Sequence, residues 1–152
     1  QAVCPKGCEC LEGTRIVNCS RLGLTSVPSG IPTNVQQLIL EHNNIARIPD
    51  IPVGAFHQMK SLATLWLDGN LLKTLDPGYI PEMPMLSHLD LSDNRLKEFP
   101  WSSLSNVSRI MTLKLHNNKI SKVSAFVDFP PHLQYLYLQS NRITTIPETF
   151  LD

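Results

Sequence analysis

No cysteine follows position 19, and no stretch of the 152 residues approaches the ~20 consecutive apolar residues that cross a bilayer as a helix. The first lack leaves the rest of the chain without a second disulfide knot, and the second excludes membrane insertion by this segment. Charge is scarce too: Asp, Glu, Lys and Arg make up 17% of the residues, against ~25% in an average globular chain. The 13 basic residues are balanced by 13 acidic ones, so no bulk field draws the chain to nucleic acid or to an anionic surface. There is no Gly-rich phosphate loop, no His-Glu-x-x-His and no Cys-x-x-Cys pair. No signal-peptide-like stretch precedes Gln1, so the chain reads as mature or engineered at that end.

What is present is a repeat. Five Asn residues, Asn43, Asn70, Asn94, Asn118 and Asn141, recur at steps of 27, 24, 24 and 23. Each closes a run of the form apolar-x-x-Leu-x-Leu-x-x-Asn-x-(Ile/Leu). The runs begin at Val35, Leu62, Leu86, Ile110 and Leu133, and no column is broken in any of them. The Leu-x-Leu step alternates as a strand does. A single such strand cannot bury its apolar side, so the repeats must stack and their strands pair in parallel. Past each strand the chain turns inward, away from water. An Asn amide, both donor and acceptor, can satisfy the backbone groups stranded there. Period and pattern resemble the leucine-rich repeat.

The halves between the runs also align. Phe56, Ile80, Leu104 and Val127 lie six residues before each following run, and Met59, Met83, Val107 and Pro130 lie three before. These columns are expected to form the second wall of the core. The 12 prolines, Pro77, Pro81, Pro84, Pro130 and Pro131 among them, argue for irregular turns and short 3₁₀ pieces on that side rather than long helices.

All four cysteines, Cys4, Cys8, Cys10 and Cys19, fall in the first 19 residues, spaced C-x3-C-x-C-x8-C. They sit where an open solenoid end needs a cap, which favours disulfides over a metal site and an oxidising, extracellular setting. Four cysteines allow three pairings, and the spacing does not choose among them. Thr14–Asn18 has strand character and is expected to pair within the cap. Two Asn-x-Ser sequons occur, at Asn18 and Asn106. Asn106, on the convex side, is the candidate glycan acceptor, while Asn18 abuts a cysteine and is the poorer one.

Alternation fixes which strand side chains face solvent. One outward column is Gln37, Thr64, His88, Thr112, Tyr135, and the next is Ile39, Trp66, Asp90, Lys114, Tyr137. Beyond these come Glu41, Asp68, Ser92, His116, Gln139, and then His42, Gly69, Asp93, Asn117, Ser140. Glu41, Asp68, Asp90 and Asp93 make one end of this face acidic, and Lys114 is its one Lys or Arg. Trp66, Tyr135 and Tyr137 are large outward aromatics of the kind that anchor interfaces. The candidate ligand-binding residues are therefore Glu41, Trp66, Asp68, His88, Asp90, Asp93, Lys114, Tyr135 and Tyr137.

No reaction chemistry emerges. His88 and His116 stand four positions apart on adjacent strands, about 13 Å at ~3.3 Å per residue, too far to share a metal. Asp90 with Asp93 offers too few converging oxygens for Ca²⁺. Neither a catalytic residue set nor a cofactor or metal site is assigned, and the reading is a binding protein, not an enzyme.

Cys4-Pro5 through Cys19, followed by Leu24-x-x-Val27-Pro28-x-x-Ile31-Pro32, resembles the N-terminal cap of secreted leucine-rich-repeat proteins. Ile48-Pro49, Ala55-Phe56, Met59 and Leu62 look like their typical repeat. Such proteins include variable lymphocyte receptors of jawless vertebrates, Toll-like receptor ectodomains, Slit-type guidance proteins and small leucine-rich proteoglycans. The resemblance implies disulfides Cys4–Cys10 and Cys8–Cys19. The fold class it implies is α/β: a curved leucine-rich-repeat solenoid with a parallel sheet on the concave face and an irregular or 3₁₀ convex side. Residues 1–34 are then a cysteine-rich cap, and 35–152 are five repeats (35–61, 62–85, 86–109, 110–132, 133–152). The short capped array is most similar to variable lymphocyte receptors. Those end in a second cysteine-rich cap that has no counterpart here, and Phe150 falls in the column that would lead to a sixth repeat. The function implied is extracellular recognition, immune-receptor-like, of a protein, glycan or microbial-surface ligand on the concave face. A matrix or adhesion module resembling the proteoglycans or Slit-type proteins is the alternative, supported by Phe129-Pro130-Pro131-x-Leu133.

Overall fold

The computed structural model describes residues 4–46, 56–75, 80–124 and 127–148. The expectations for Ile48, Pro49, Ala55, Pro77 and Phe150 fall outside these residues. Seven short strands form one sheet in chain order: β1 (Glu9–Cys10), β2 (Ile16–Asn18), β3 (Gln37–Ile39), β4 (Thr64–Trp66), β5 (His88–Asp90), β6 (Thr112–Lys114) and β7 (Tyr135–Tyr137). β1 runs antiparallel to β2, and every later pair is parallel. The register places Val17, Leu38, Leu65, Leu89, Leu113 and Leu136 in one line across the sheet. These are the inward residues of the alternating pattern, and all but Leu136 are buried. The cap strand β2 is thus the first parallel rung, and the sheet runs unbroken from cap to repeats.

The second core wall forms as the apolar columns require. Phe56, Ile80 and Leu104 are buried with Met59, Met83 and Val107 against the strand leucines. The convex side carries 3₁₀ pieces at Phe56–Gln58 and Trp101–Asn106. Among the described residues there is no α-helix, so 3₁₀ turns supply the helical side of the α/β class. Disulfides Cys4–Cys10 and Cys8–Cys19 tie the cap, and Cys19 is fully enclosed in the core. In the fifth repeat Leu133, Leu136, Leu138 and Ile143 are only partly covered.

The Asn column builds a ladder. Each amide nitrogen donates to the carbonyl of its own repeat's second leucine and to that of the repeat before. Asn70 Nδ2 reaches Leu67 O and Leu40 O, both at 3.0 Å. Asn94 Nδ2 reaches Leu91 O at 3.1 Å and Leu67 O at 3.0 Å, and Asn118 and Asn141 repeat the arrangement. Each Oδ1 meanwhile accepts a backbone N–H of the preceding repeat, at Ile45, Leu72, Leu96 and Ile120 in turn. In the cap the carbonyl is that of Cys19, and the N–H groups are those of Leu22 and Leu24.

The outermost of the four columns has a backbone conformation that its residue types did not signal. The residue before each ladder Asn is left-handed: His42 (φ 55°), Gly69 (71°), Asp93 (54°), Asn117 (56°) and Ser140 (58°), with Arg21 (56°) at the equivalent place in the cap. This kink bends the chain from the strand into the buried turn. Gly, Asn, Asp and His favour it, whereas Arg21 and Ser140 are held there by the ladder bonds of the residue that follows, Leu22 and Asn141.

Asn106, the candidate glycan acceptor, ends a 3₁₀ piece of the convex side. It is half-buried at the end of the second 3₁₀ piece, and its Nδ2, the atom that a sugar would occupy, donates to Ile80 O at 2.7 Å. Its carbonyl accepts from Met83 N at 2.9 Å. The side chain clamps the preceding repeat instead of projecting to solvent, because the 3₁₀ turn aims it across the repeat junction.

The concave sheet as a candidate binding face

Parallel pairing in register turns the outward columns into continuous stripes. Gln37, Thr64, His88, Thr112 and Tyr135 align in one, and Ile39, Trp66, Asp90, Lys114 and Tyr137 in the next. A groove on this face is lined by Trp66, His88, Asp90, Lys114, Tyr135 and Tyr137, with Gln37, Thr64 and Thr112 between them. Six of the nine expected contact residues therefore share one concavity. The Lys114 ammonium lies 5.9 Å from the centre of the Trp66 ring and 5.5 Å from that of Tyr137, within cation–π range of both. Tyr137 also meets the His116 ring edge-on at 5.9 Å. Tyr135 stands 55% exposed, the most exposed large ring of the face.

The acidic residues divide. Asp90 was expected to present a free carboxylate; it lines the groove but is buried. Its Oδ1 accepts from Ser92 N at 2.9 Å and Ser92 Oγ at 2.6 Å. A two-residue loop of this kind is the usual local capture of an Asp side chain. Ser92, expected to face solvent, is buried as its donor. Asp93 is exposed on the left-handed turn. Glu41 and Asp68 are brought together across β3 and β4, and His42 joins them: one ligand-type atom from each lies within 4.8 Å of the others. His42 was placed in an outward column but not among the candidate contacts. Its ring rests where a Gly69 side chain would stand, since a Cβ there would lie 2.5 Å from Nδ1. The glycine one repeat ahead in the same column is the signal that could have found it. The three could hold a cation, although two carboxylates and one imidazole are also an ordinary acidic contact surface.

Burial, and then the Asp90 and Glu41 charges, push the Asp68 carboxyl from 3.8 up to about 6, opposed by a backbone hydrogen bond and by His42. The folded value lies above the unfolded one, so folding favours the protonated acid. That stabilisation is complete below about pH 4 and is lost as pH rises through about 6. Asp68→Asn should therefore stabilise the chain at pH 7.5, by about 1 kcal/mol after allowance for solvent screening of a half-exposed group. The gain should vanish at pH 3.5, and urea unfolding at the two pH values measures it. A variant less stable at both would contradict this electrostatic assignment.

Three buried polar atoms on this face have no hydrogen-bond partner: Trp66 Nε1, Asp68 Oδ1 and His116 Nδ1. Unmet groups are costly in a finished core and concentrate where a ligand or ordered water completes them. Among the described residues no helix is long and apolar enough to cross a membrane.

Comparison with known proteins agrees with the geometry. The family described as Leucine rich repeat matches residues 33–96 and 84–143, and the Leucine rich repeat N-terminal domain matches 3–32. Human Leucine-rich repeats and immunoglobulin-like domains protein 3 is 33% identical over 150 residues, covering 98% of this chain and 13% of its own. Human Reticulon-4 receptor-like 2 is 32% identical over 121 residues, covering 79% of this chain and 28% of its own. The chain thus spans well under a third of either relative. The solved leucine-rich-repeat domain of a Shigella effector superposes with a TM-score of 0.66 over 88% of this chain and 53% of its own; at 23% identity it speaks for the fold alone. The chain belongs to the leucine-rich-repeat family and opens with that family's N-terminal domain.

Proposed function

We propose that this chain is an extracellular recognition module that captures a protein ligand on its concave sheet, by binding and not by catalysis. One observation carries the reading: a single groove gathers Trp66, Tyr135, Tyr137 and Lys114 beside an acidic edge of Glu41 and Asp68. Aromatic anchors with a charged rim are the composition of binding hot spots. The disulfide cap and the likeness to a receptor-like relative support an extracellular place. Basic groups of the ligand meet Glu41, Asp68 and Asp93, while its apolar side chains pack on the rings. As to the ligand's origin, the resemblance of the capped repeats to variable lymphocyte receptors favours an immune role against an antigen or microbial surface. The match to Reticulon-4 receptor-like 2 favours a second reading, adhesion to a cell-surface or matrix protein.

The test is a screen of the secreted, oxidised chain against whole microbes, purified matrix proteins and cell-surface ectodomains at two salt concentrations. Saturable binding that weakens as salt rises and disappears when the target is digested with protease is the expected result. A microbial target would decide for the immune reading, and a matrix or cell-surface target for adhesion. Binding that survives protease digestion, or rises with salt, would overturn capture of a protein by an acidic face.

A further inference from the structure

The two sequons of this chain have opposite geometry. At Asn106 the amide nitrogen is engaged with Ile80 O at 2.7 Å and turned into the junction between repeats. At Asn18 the amide is anchored by its oxygen: Oδ1 accepts from Ser20 N at 3.0 Å and from Ser20 Oγ at 2.7 Å. Its Nδ2 makes no hydrogen bond among the described residues. Asn18 ends β2, and its place in the sheet is the outward column that continues through Ile39 to Trp66. A substituent on Nδ2 therefore projects from the concave face and breaks no bond of the fold. On Asn106 it would stand at the half-buried junction between repeats, beside Ile80 O.

We infer that Asn18 carries an N-linked oligosaccharide that fences the cap end of the binding face. The inference rests on the extracellular reading above, because the sugar is added in the secretory pathway. The donor is a lipid pyrophosphate-linked oligosaccharide. Nδ2 attacks the anomeric carbon, the C–N bond forms as the C–O bond to pyrophosphate breaks, and the leaving phosphate keeps the electron pair while Nδ2 gives up one proton. The sugar root stands two strands from Trp66, about 10 Å at ~4.8 Å per strand. The glycan thus fences the cap edge of the sheet at β2 and leaves the aromatic groove of Trp66, Lys114, Tyr135 and Tyr137 open, so the ligand approaches from the far end of the array.

The experiment is secretion of the chain from a eukaryotic host, enzymatic release of N-glycans in heavy-oxygen water, and peptide mass mapping. Expected is isotope-labelled Asp at position 18. Ser20→Ala should remove the glycan while leaving Asn18 in place. Asn18→Gln should do the same and guards against a folding defect in either variant. A bare Asn18 in secreted chain with both disulfides formed overturns the inference, as does labelling at 106 alone. Thiol titration of the same sample separates the two failures, since free cysteines would count against the extracellular reading itself.

Discussion

Asn94→Ala should cost the fold about 3 kcal/mol, read as a lowered urea midpoint, whereas Asn141→Ala should cost about 1 kcal/mol. The carbonyls that Asn94 serves do not all become orphans. Leu67 O keeps Asn70 and Leu91 O keeps Asn118, because each of these two carbonyls accepts from two successive Asn residues. The buried N–H of Leu72 has no second acceptor: its partner at 3.0 Å is Asn94 Oδ1. An orphaned buried N–H costs ~1–3 kcal/mol, and the lost amide bonds add roughly 1 kcal/mol more. Asn141 makes the equivalent bonds but is only partly buried, so water takes its place more cheaply. Equal losses at the two positions would mean that the ladder is not the source of stability.

That ladder is the part of the structure most legible in the sequence. Two side-chain periods are at work, one of two residues along the strand and one of about 24 along the chain. Together they dictate which leucines face in and force the strands to stack. Burial of Leu38, Leu65, Leu89 and Leu113 follows from that alone. What stayed hidden depends on neighbours that only stacking supplies. Asp90 is outward by alternation yet covered, because its own Ser92 captures it in a groove walled by Trp66 and Lys114. His42 joins Glu41 and Asp68 because the next repeat carries Gly69 where any other residue would collide with its ring. The left-handed column was masked by Arg21 and Ser140, residue types that do not announce such a backbone. Asn106 carries a sequon that reads as a surface signal, but the turn it terminates rotates its amide inward. In each case local pattern placed the residue on a face, and contact with the adjacent repeat decided what it does there.

The second large effect concerns binding. Trp66 and Tyr135 flank the groove, and neither is deeply buried. Central aromatic anchors of interfaces are worth about 2 kcal/mol or more, a loss of roughly 30-fold in affinity when truncated. Tyr135 is the cleaner test, since at 55% exposure its ring contributes little to the fold. The charged edge acts differently: Glu41→Gln, Asp68→Asn and Asp93→Asn together should weaken binding several-fold at low salt and flatten its salt dependence. Asp90 does not belong in that set, because neutralising it would disturb its bonds to Ser92.

The most direct measurement is the affinity of the protein ligand found by the screen for the parent chain, the Tyr135→Ala variant and the triple charge variant, each shown to unfold at the parent's midpoint or above. The account predicts about a 30-fold loss for Tyr135→Ala and a several-fold loss with no remaining salt slope for the charge variant. Affinity unchanged in both would mean that the ligand does not bind on the concave sheet.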